Sequence, residues 1–250
     1  MRCKTLVPAL LAGLALSGAA QATLIDRGGG LIYDDVLNIT WLQDANYAKT
    51  SGYDADGRMT WDQATTWAAN LSYYDSVRGV TYDDWRLPTM IDTGSPGCNW
   101  ATSGADCGYN VQTYDAGTDT VYSEMAYMYY VNLGLDGSVD ASGTYQPTWG
   151  IFGNGTLNGT GSNSYGQNDV GLIDNLQANV YWSGLEYAPD ASSAWNFGTS
   201  NGYQLAYSKG NDDYAWAVRP GDVAAAVPEP ATLMLLGLGL AGLGAMRRRG

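Results

Sequence analysis

The 250-residue chain contains no histidine. That removes the usual general base, the Ser-His-Asp and Cys-His nucleophile arrangements, and the imidazole ligands of most zinc sites. Carboxylates are what is left to do chemistry. Adjacent acids stand at Asp34-Asp35, Asp83-Asp84 and Asp212-Asp213. A glycosidase needs two carboxyl groups flanking a cleft, and acids that neighbour one another in a turn are usually solvated instead. No catalytic residue is assigned, and the chain reads as noncatalytic.

Hard cations want several oxygens, and two stretches could supply them. Asp54-Ala55-Asp56-Gly57 sets Asp54 and Asp56 in one turn, although an EF-hand register fails because Gly52 occupies the position where its first Asp is required. Glu186 with Asn211, Asp212 and Asp213 forms a second oxygen-rich set in the later loops. Calcium is the cofactor that either would take; polar turns without metal are the alternative reading of both.

Cys3 precedes an apolar stretch that ends in Ala20-Gln21-Ala22, the small-residue pattern of a signal-peptidase site. Cleavage after Ala22 leaves Cys98 and Cys107, and an exported chain with one remaining pair is expected to form a disulfide. Closing so short a loop stabilises by about 3 kcal/mol on the chain-entropy account.

Between Thr23 and Val223 there are 7 basic residues against 24 acidic, a net charge of −17 where the whole chain carries −13. Such a body repels phosphate backbones and anionic lipid, so nucleic acid is excluded as a partner. It suits divalent cations, neutral or cationic ligands, and solubility outside the cell.

The elements that must position these groups are readable locally. Leu24 to Tyr33 with Gly28-Gly29-Gly30 at its centre predicts an opening hairpin, and Ile39 to Leu42 a further strand. Thr60-Trp61-Asp62-Gln63 has capping-box spacing, with Trp61, Ala64, Trp67, Ala68 and Leu71 on one stripe, which predicts a helix from Thr60 to Leu71. Ser123 as N-cap and Gly134 as stop bound a second helix. Residues 136–167 lack periodicity and are expected to form a long surface excursion.

Late strands are expected at Tyr181 to Ser183, Ala194 to Phe197, Tyr203 to Tyr207 and Ala215 to Arg219, with Asn201-Gly202 as a hairpin turn. Trp195, Phe197, Tyr203, Leu205, Trp216 and Val218 are the inward candidates. The sum is an α+β domain built on a small antiparallel sheet with two helices.

The blocks Gly30-Leu31-Ile32-Tyr33-Asp34, Thr40-Trp41-Leu42-Gln43-Asp44-Ala45-Asn46, Trp61-Asp62-Gln63-Ala64, Trp85-Arg86-Leu87-Pro88-Thr89, Tyr181-Trp182-Ser183 and Ala215-Trp216-Ala217-Val218-Arg219-Pro220-Gly221 resemble the Lcl C-terminal domain family across residues 23–223. Trp85, Arg86, Leu87, Pro88 and Thr89 also look like a feature of C-type-lectin-like folds. The resemblance implies a twisted sheet, two helices, long loops and chain ends close together. It also implies adhesion to polysaccharide, although the acidity of this body works against a sulfated one. The sugar-selecting Glu-Pro-Asn tripeptide of calcium-dependent lectins is absent, and Trp195-Asn196-Phe197 is a distant echo of their Trp-Asn-Asp.

At the other end, Val227-Pro228-Glu229-Pro230, the apolar run from Ala231 to Met246 and Arg247-Arg248-Arg249 resemble the PEP-CTERM sorting signal. That resemblance implies handling by the membrane protease exosortase. The expected organisation is a signal peptide at 1–22, a domain at 23–223, and a sorting signal at 224–250 with a transmembrane helix at 231–246. Sixteen apolar residues are near the lower limit for crossing a core of roughly 30 Å. The segment therefore reads as a temporary inner-membrane anchor, with Pro228, Glu229 and Pro230 on the outer face and the arginines inside; permanent anchorage is the alternative. Signal peptidase and exosortase are the expected processing partners. The product is expected at the surface or in the extracellular matrix of a bacterium. Its function is either binding glycan or exopolysaccharide, or serving as a structural component with no small ligand.

Overall fold

The computed structural model describes residues 24–94, 102–151 and 167–223. β1 (Leu24–Gly28) and β2 (Leu31–Asp34) form the expected hairpin, and Gly28, Gly29 and Gly30 all take positive φ in its turn. β3 (Ile39–Leu42) lies antiparallel to β2, and every residue in it is buried. After the short α1 (Tyr47–Thr50) and β4 (Arg58–Met59) comes α2 (Trp61–Ala69). Its capping box is formed as predicted: Thr60 caps through its hydroxyl, while the Gln63 side chain returns to the Thr60 backbone N–H at 3.0 Å. Ala64, Trp67 and Ala68 are its buried stripe.

Small ribbons follow: β5 (Tyr73–Asp75) with β6 (Val80–Tyr82), then β7 (Gly108–Tyr109), and β8 (Tyr114–Asp115) with β9 (Thr120–Val121). The second helix opens on Ser123 as expected but is regular only over α3 (Glu124–Tyr127); Met128–Asn132 is a π-helical turn. The wider turn lets consecutive tyrosines face inward, since Tyr129 and Tyr130 both pack on Phe197, with centroids at 5.3 and 6.2 Å. The remaining strands are β10 (Gln167–Val170), β11 (Ile173–Gln177), β12 (Val180–Glu186), β13 (Ser193–Gly198), β14 (Tyr203–Ser208), β15 (Asp213–Tyr214) and β16 (Val218–Pro220).

Two expectations need correction. The late strands do not make one small antiparallel sheet. β16 joins the opening hairpin in a four-stranded sheet, β1-β2-β3-β16, while β15 adds in parallel to β12 within a six-stranded sheet, β4-β15-β12-β13-β14-β7. Burial drives the split: Val218 pairs with Trp41, both fully buried, and the Trp41 and Trp216 rings meet at 4.6 Å. Arg27 of β1 also pairs with Asp222, which ties the two ends of the body together. The second correction concerns only the ends of 136–151. Residues 140–149 run over the surface as expected, but the stretch is anchored, because Ser138, Val139 and Ile151 are buried and the Ser138 N–H bonds the Asn201 carbonyl at 2.9 Å. Residues 152–166 of that excursion lie outside the described residues.

Candidate functional site

The Trp85 to Thr89 motif is a junction of backbone and charge. Arg86 exchanges both backbone hydrogen bonds with Val218 of β16, at 2.8 and 2.9 Å. The Pro88 carbonyl accepts the Gly184 N–H of β12 at 2.7 Å, and the Thr89 N–H reaches a Glu124 oxygen at 2.7 Å. Trp85 and Leu87 are buried, and the Trp85 indole N–H donates to the Tyr82 carbonyl. Arg86 donates charge-assisted hydrogen bonds to both Glu124 oxygens and a further bond to the Leu87 carbonyl. The motif thus ties together the two large sheets and the start of α3. A cavity of about 260 Å³ beside it, touching Thr65, Arg86 and Thr89, offers no free cation, because Glu124 already neutralises the guanidinium.

Trp182, Trp195 and Trp216 are core residues. Each is at most 1 % exposed, and their indole N–H groups donate to the Met59 carbonyl, the Asp92 carboxylate and the Leu42 carbonyl.

The oxygen-rich stretches sit as follows. One Asp54 oxygen accepts the N–H groups of Asp56 and Gly57 at 3.0 and 2.8 Å, and Asp56 accepts the Arg58 N–H at 3.0 Å. Burial alone would raise the Asp54 pKa, but these backbone bonds outweigh it and hold it below the usual carboxylate value. Glu186 pairs with Lys209, whose ammonium also lies 4.4 Å from the Trp61 ring centre. Asp213 is not beside Glu186. Its strand joins β12 at Tyr181, five residues before Glu186, a separation of roughly 15 Å along an extended strand. Asn211 and Asp212 are exposed, and the Asp212 carbonyl accepts from the Arg58 guanidinium. Among the described residues no group of three or more cysteines and acids is placed to hold a metal ion. Cys107 is buried and disulfide-bonded, while Cys98, its expected partner, lies outside the described residues.

What the six-stranded sheet does assemble is a groove. Cross-strand partners share a face, and Val180, Gly198 and Tyr203 form one such row. Trp182, Asn196 and Leu205 form the next row on the same side. β14 and β15 lie on opposite sides of the β12–β13 pair, so residues 209–212 carry the chain across it, and Tyr207 and Asp213 stand at the two ends of that crossing. Val180, Gly198, Tyr203 and Leu205, with Tyr207 and Asp213, enclose a cavity of about 330 Å³. Asn179, Ser200 and Asn201 supply a polar lip. Gly198 keeps the floor low, since a Cβ there would lie 2.8 Å from the Asn201 Oδ1.

The groove has one unmatched polar group, and a second lies buried in the sheet beneath it. Asp213 is 6 % exposed and its Oδ2 has no hydrogen-bond partner. Burial pushes its pKa up to about 6; Arg58 pulls the value down and Asp212 raises it further. Tyr207 is raised as well, by burial first and then by Asp213. Asn196, fully buried on the groove's face of the sheet, has neither amide atom hydrogen-bonded. Sequence reasoning found Asp213, as a metal ligand, and placed Tyr203 and Leu205 in the core. It missed Tyr207 and Gly198 as members of a shared cavity. The Tyr203, Leu205, Tyr207 alternation was the available signal.

Comparison with known proteins bears on one end of the chain. Residues 226–249 match the model of the PEP-CTERM protein-sorting motif. No curated protein and no solved structure matches the chain. The class that emerges is an α+β protein, mostly antiparallel sheet, carrying a sorting motif that indicates an exported, exosortase-sorted surface protein. Pro228, Glu229 and Pro230 and Arg247, Arg248 and Arg249 fall inside the matched segment but outside the described residues. The same is true of 231–246; among the described residues no helix is long and apolar enough to cross a membrane.

Proposed function

We propose that the protein is a noncatalytic surface or matrix component whose body, released after exosortase handling, binds a glycan of the extracellular polysaccharide. The observation that carries the binding half is the groove on the six-stranded sheet: Tyr207 and Val180 partly exposed in its walls, a lip of amide and hydroxyl groups, and the unsatisfied Asp213 oxygen. Sugar recognition uses that combination, apolar ring faces against aromatics and hydroxyls on convergent polar groups. The absence of histidine from the sequence supports the noncatalytic half. A C-type-lectin-like architecture is part of the same reading, supported by the paired chain ends and by the Trp85 to Thr89 junction.

The test is a glycan panel with the mature protein recovered from culture medium, run with calcium and with chelator. Binding to at least one matrix polysaccharide is expected; a blank panel under both conditions would sink the reading. A ligand-free interaction role is the second reading, favoured by the β5–β6 hairpin, where Tyr74, Val77 and Val80 are 63, 48 and 42 % exposed. It predicts a protein partner in the matrix and no response to any sugar.

A further inference from the structure

We infer that the groove between β12, β14 and β15 takes an amine-bearing sugar unit, its ammonium pairing with Asp213 and its ring lying against Tyr207. This rests on the glycan reading above and narrows it to one chemistry.

The argument starts from the carboxylate. A buried acid with an oxygen left unpaired is costly, and the cost falls most when a ligand brings both a hydrogen-bond donor and the opposite charge. Within the protein, Arg58 acts on Asp213 only in part, because one arm of its guanidinium is engaged by the Asp212 carbonyl. A neutral hydroxyl would satisfy Oδ2 but leave the charge buried. An ammonium cancels it.

The rest of the groove selects a sugar over a simple amine. Its volume of about 330 Å³ is at the small end of ligand pockets, which run from about 300 to 1,000 Å³, and so suits a single ring. Tyr207 and Val180, both partly exposed, offer apolar surface over the buried Tyr203 and Leu205, and Asn179, Ser200 and Asn201 offer donors and acceptors at the mouth. Outside the groove, five of the seven basic residues of the body are held in ion pairs, which leaves a large acid excess to concentrate a polycation.

Protonation supplies a second signature. Arg58, Asp212 and Tyr207 are the charged or titratable groups that act on Asp213 or feel it, with Tyr203 also lining the groove. Asp213 gains its proton as pH falls through about 6, whereas a sugar amine, a weaker base than an alkyl amine, gains its charge as pH falls through neutrality. Binding should therefore be strongest between the two titrations and weaken as pH falls below about 6.

The experiment is calorimetric titration of the mature protein with glucosamine oligomers, their N-acetylated counterparts, neutral glucose oligomers and cyclohexylamine. Asp213→Asn and Tyr207→Ala are titrated alongside, with circular dichroism to confirm the fold. The amine oligomers should bind about tenfold or more tighter than the acetylated ones. That preference should vanish in Asp213→Asn, weaken as pH falls below about 6, and ignore chelator. Tyr207→Ala should weaken all sugars. Equal binding of free and acetylated amines, or full retention in folded Asp213→Asn, would overturn the inference and leave glycan binding standing. Cyclohexylamine binding as tightly as glucosamine would overturn the sugar half. No binding of any oligomer would overturn the inference, and the glycan reading falls only if the wider polysaccharide panel is blank too.

Discussion

Arg86 and Glu124 meet as a two-pronged ion pair, each nitrogen to its own oxygen at 2.7 Å, across 38 residues of chain. Glu124 is buried and takes a third bond from the Thr89 N–H, while the Arg86 side chain remains 38 % exposed. The carboxylate is therefore the vulnerable partner. Arg86→Ala should cost about 2 to 3 kcal/mol, below the usual figure for a fully buried pair because solvent reaches the arginine. In thermal melts that is a fall in Tm of roughly 5 to 10 °C for a domain of this size. Arg86→Ala with Glu124→Gln should cost less than the sum of the two singles, and additivity within error would show that the pair is not coupled.

Asp213 makes the opposite prediction. Its folded-state pKa of about 6 lies above the reference 3.8, so the folded protein holds this proton more tightly. That contribution to stability is fully present below about pH 4 and lost as pH rises through about 6. Asp213→Asn never carries the buried charge, so it should be more stable than the parent at neutral pH by roughly 2 kcal/mol. The gap should close toward pH 4. Urea denaturation at several pH values measures this directly, and a gap that is independent of pH would refute it.

Gly202 holds the turn at the groove's lip with φ at +75°, and a Cβ there would lie 2.5 Å from the Tyr130 hydroxyl oxygen and 2.9 Å from a Tyr129 ring carbon. Gly202→Ala pays for left-handed backbone and for displaced tyrosines together, about 2 kcal/mol or more. The melting curve should shift accordingly, while Gly52→Ala, also at positive φ but with open space around it, should cost about 1 kcal/mol.

The sorting motif is tested by mass. Exosortase handling should remove the C-terminal arginines, so matrix or medium fractions should lack Arg249. Glu229→Ala should shift the protein to the membrane fraction with Arg249 intact. Intact Arg249 throughout the parent's own membrane pool, with nothing released, would mean a permanent anchor.

Much of the local structure was legible because its causes are local. Three consecutive glycines can turn a hairpin, and Thr60 and Gln63 close a capping box within a single turn. An arginine between the apolar Trp85 and Leu87 needs an acid or a carbonyl, but nothing near Arg86 in sequence points to Glu124. Where Glu186 stands relative to residues 211–213 was hidden for a related reason. Glu186 ends β12, and β15 joins that strand near its start, so strand pairing rather than nearness in sequence sets the distance from Glu186 to Asp213.

By itself, the sequence determined the chemistry excluded by a chain without histidine, the acidity of the body and the address at its C-terminus. These depend on which residues are present and on contiguous patterns, so no fold is needed to read them. Only the tertiary structure decided that β16 closes on β3, that β15 enters beside β12, and that Asp213 ends in a tyrosine-walled groove with one oxygen unmatched. Those outcomes follow from burying apolar side chains contributed by distant segments, a long-range competition that alternation along one strand does not encode.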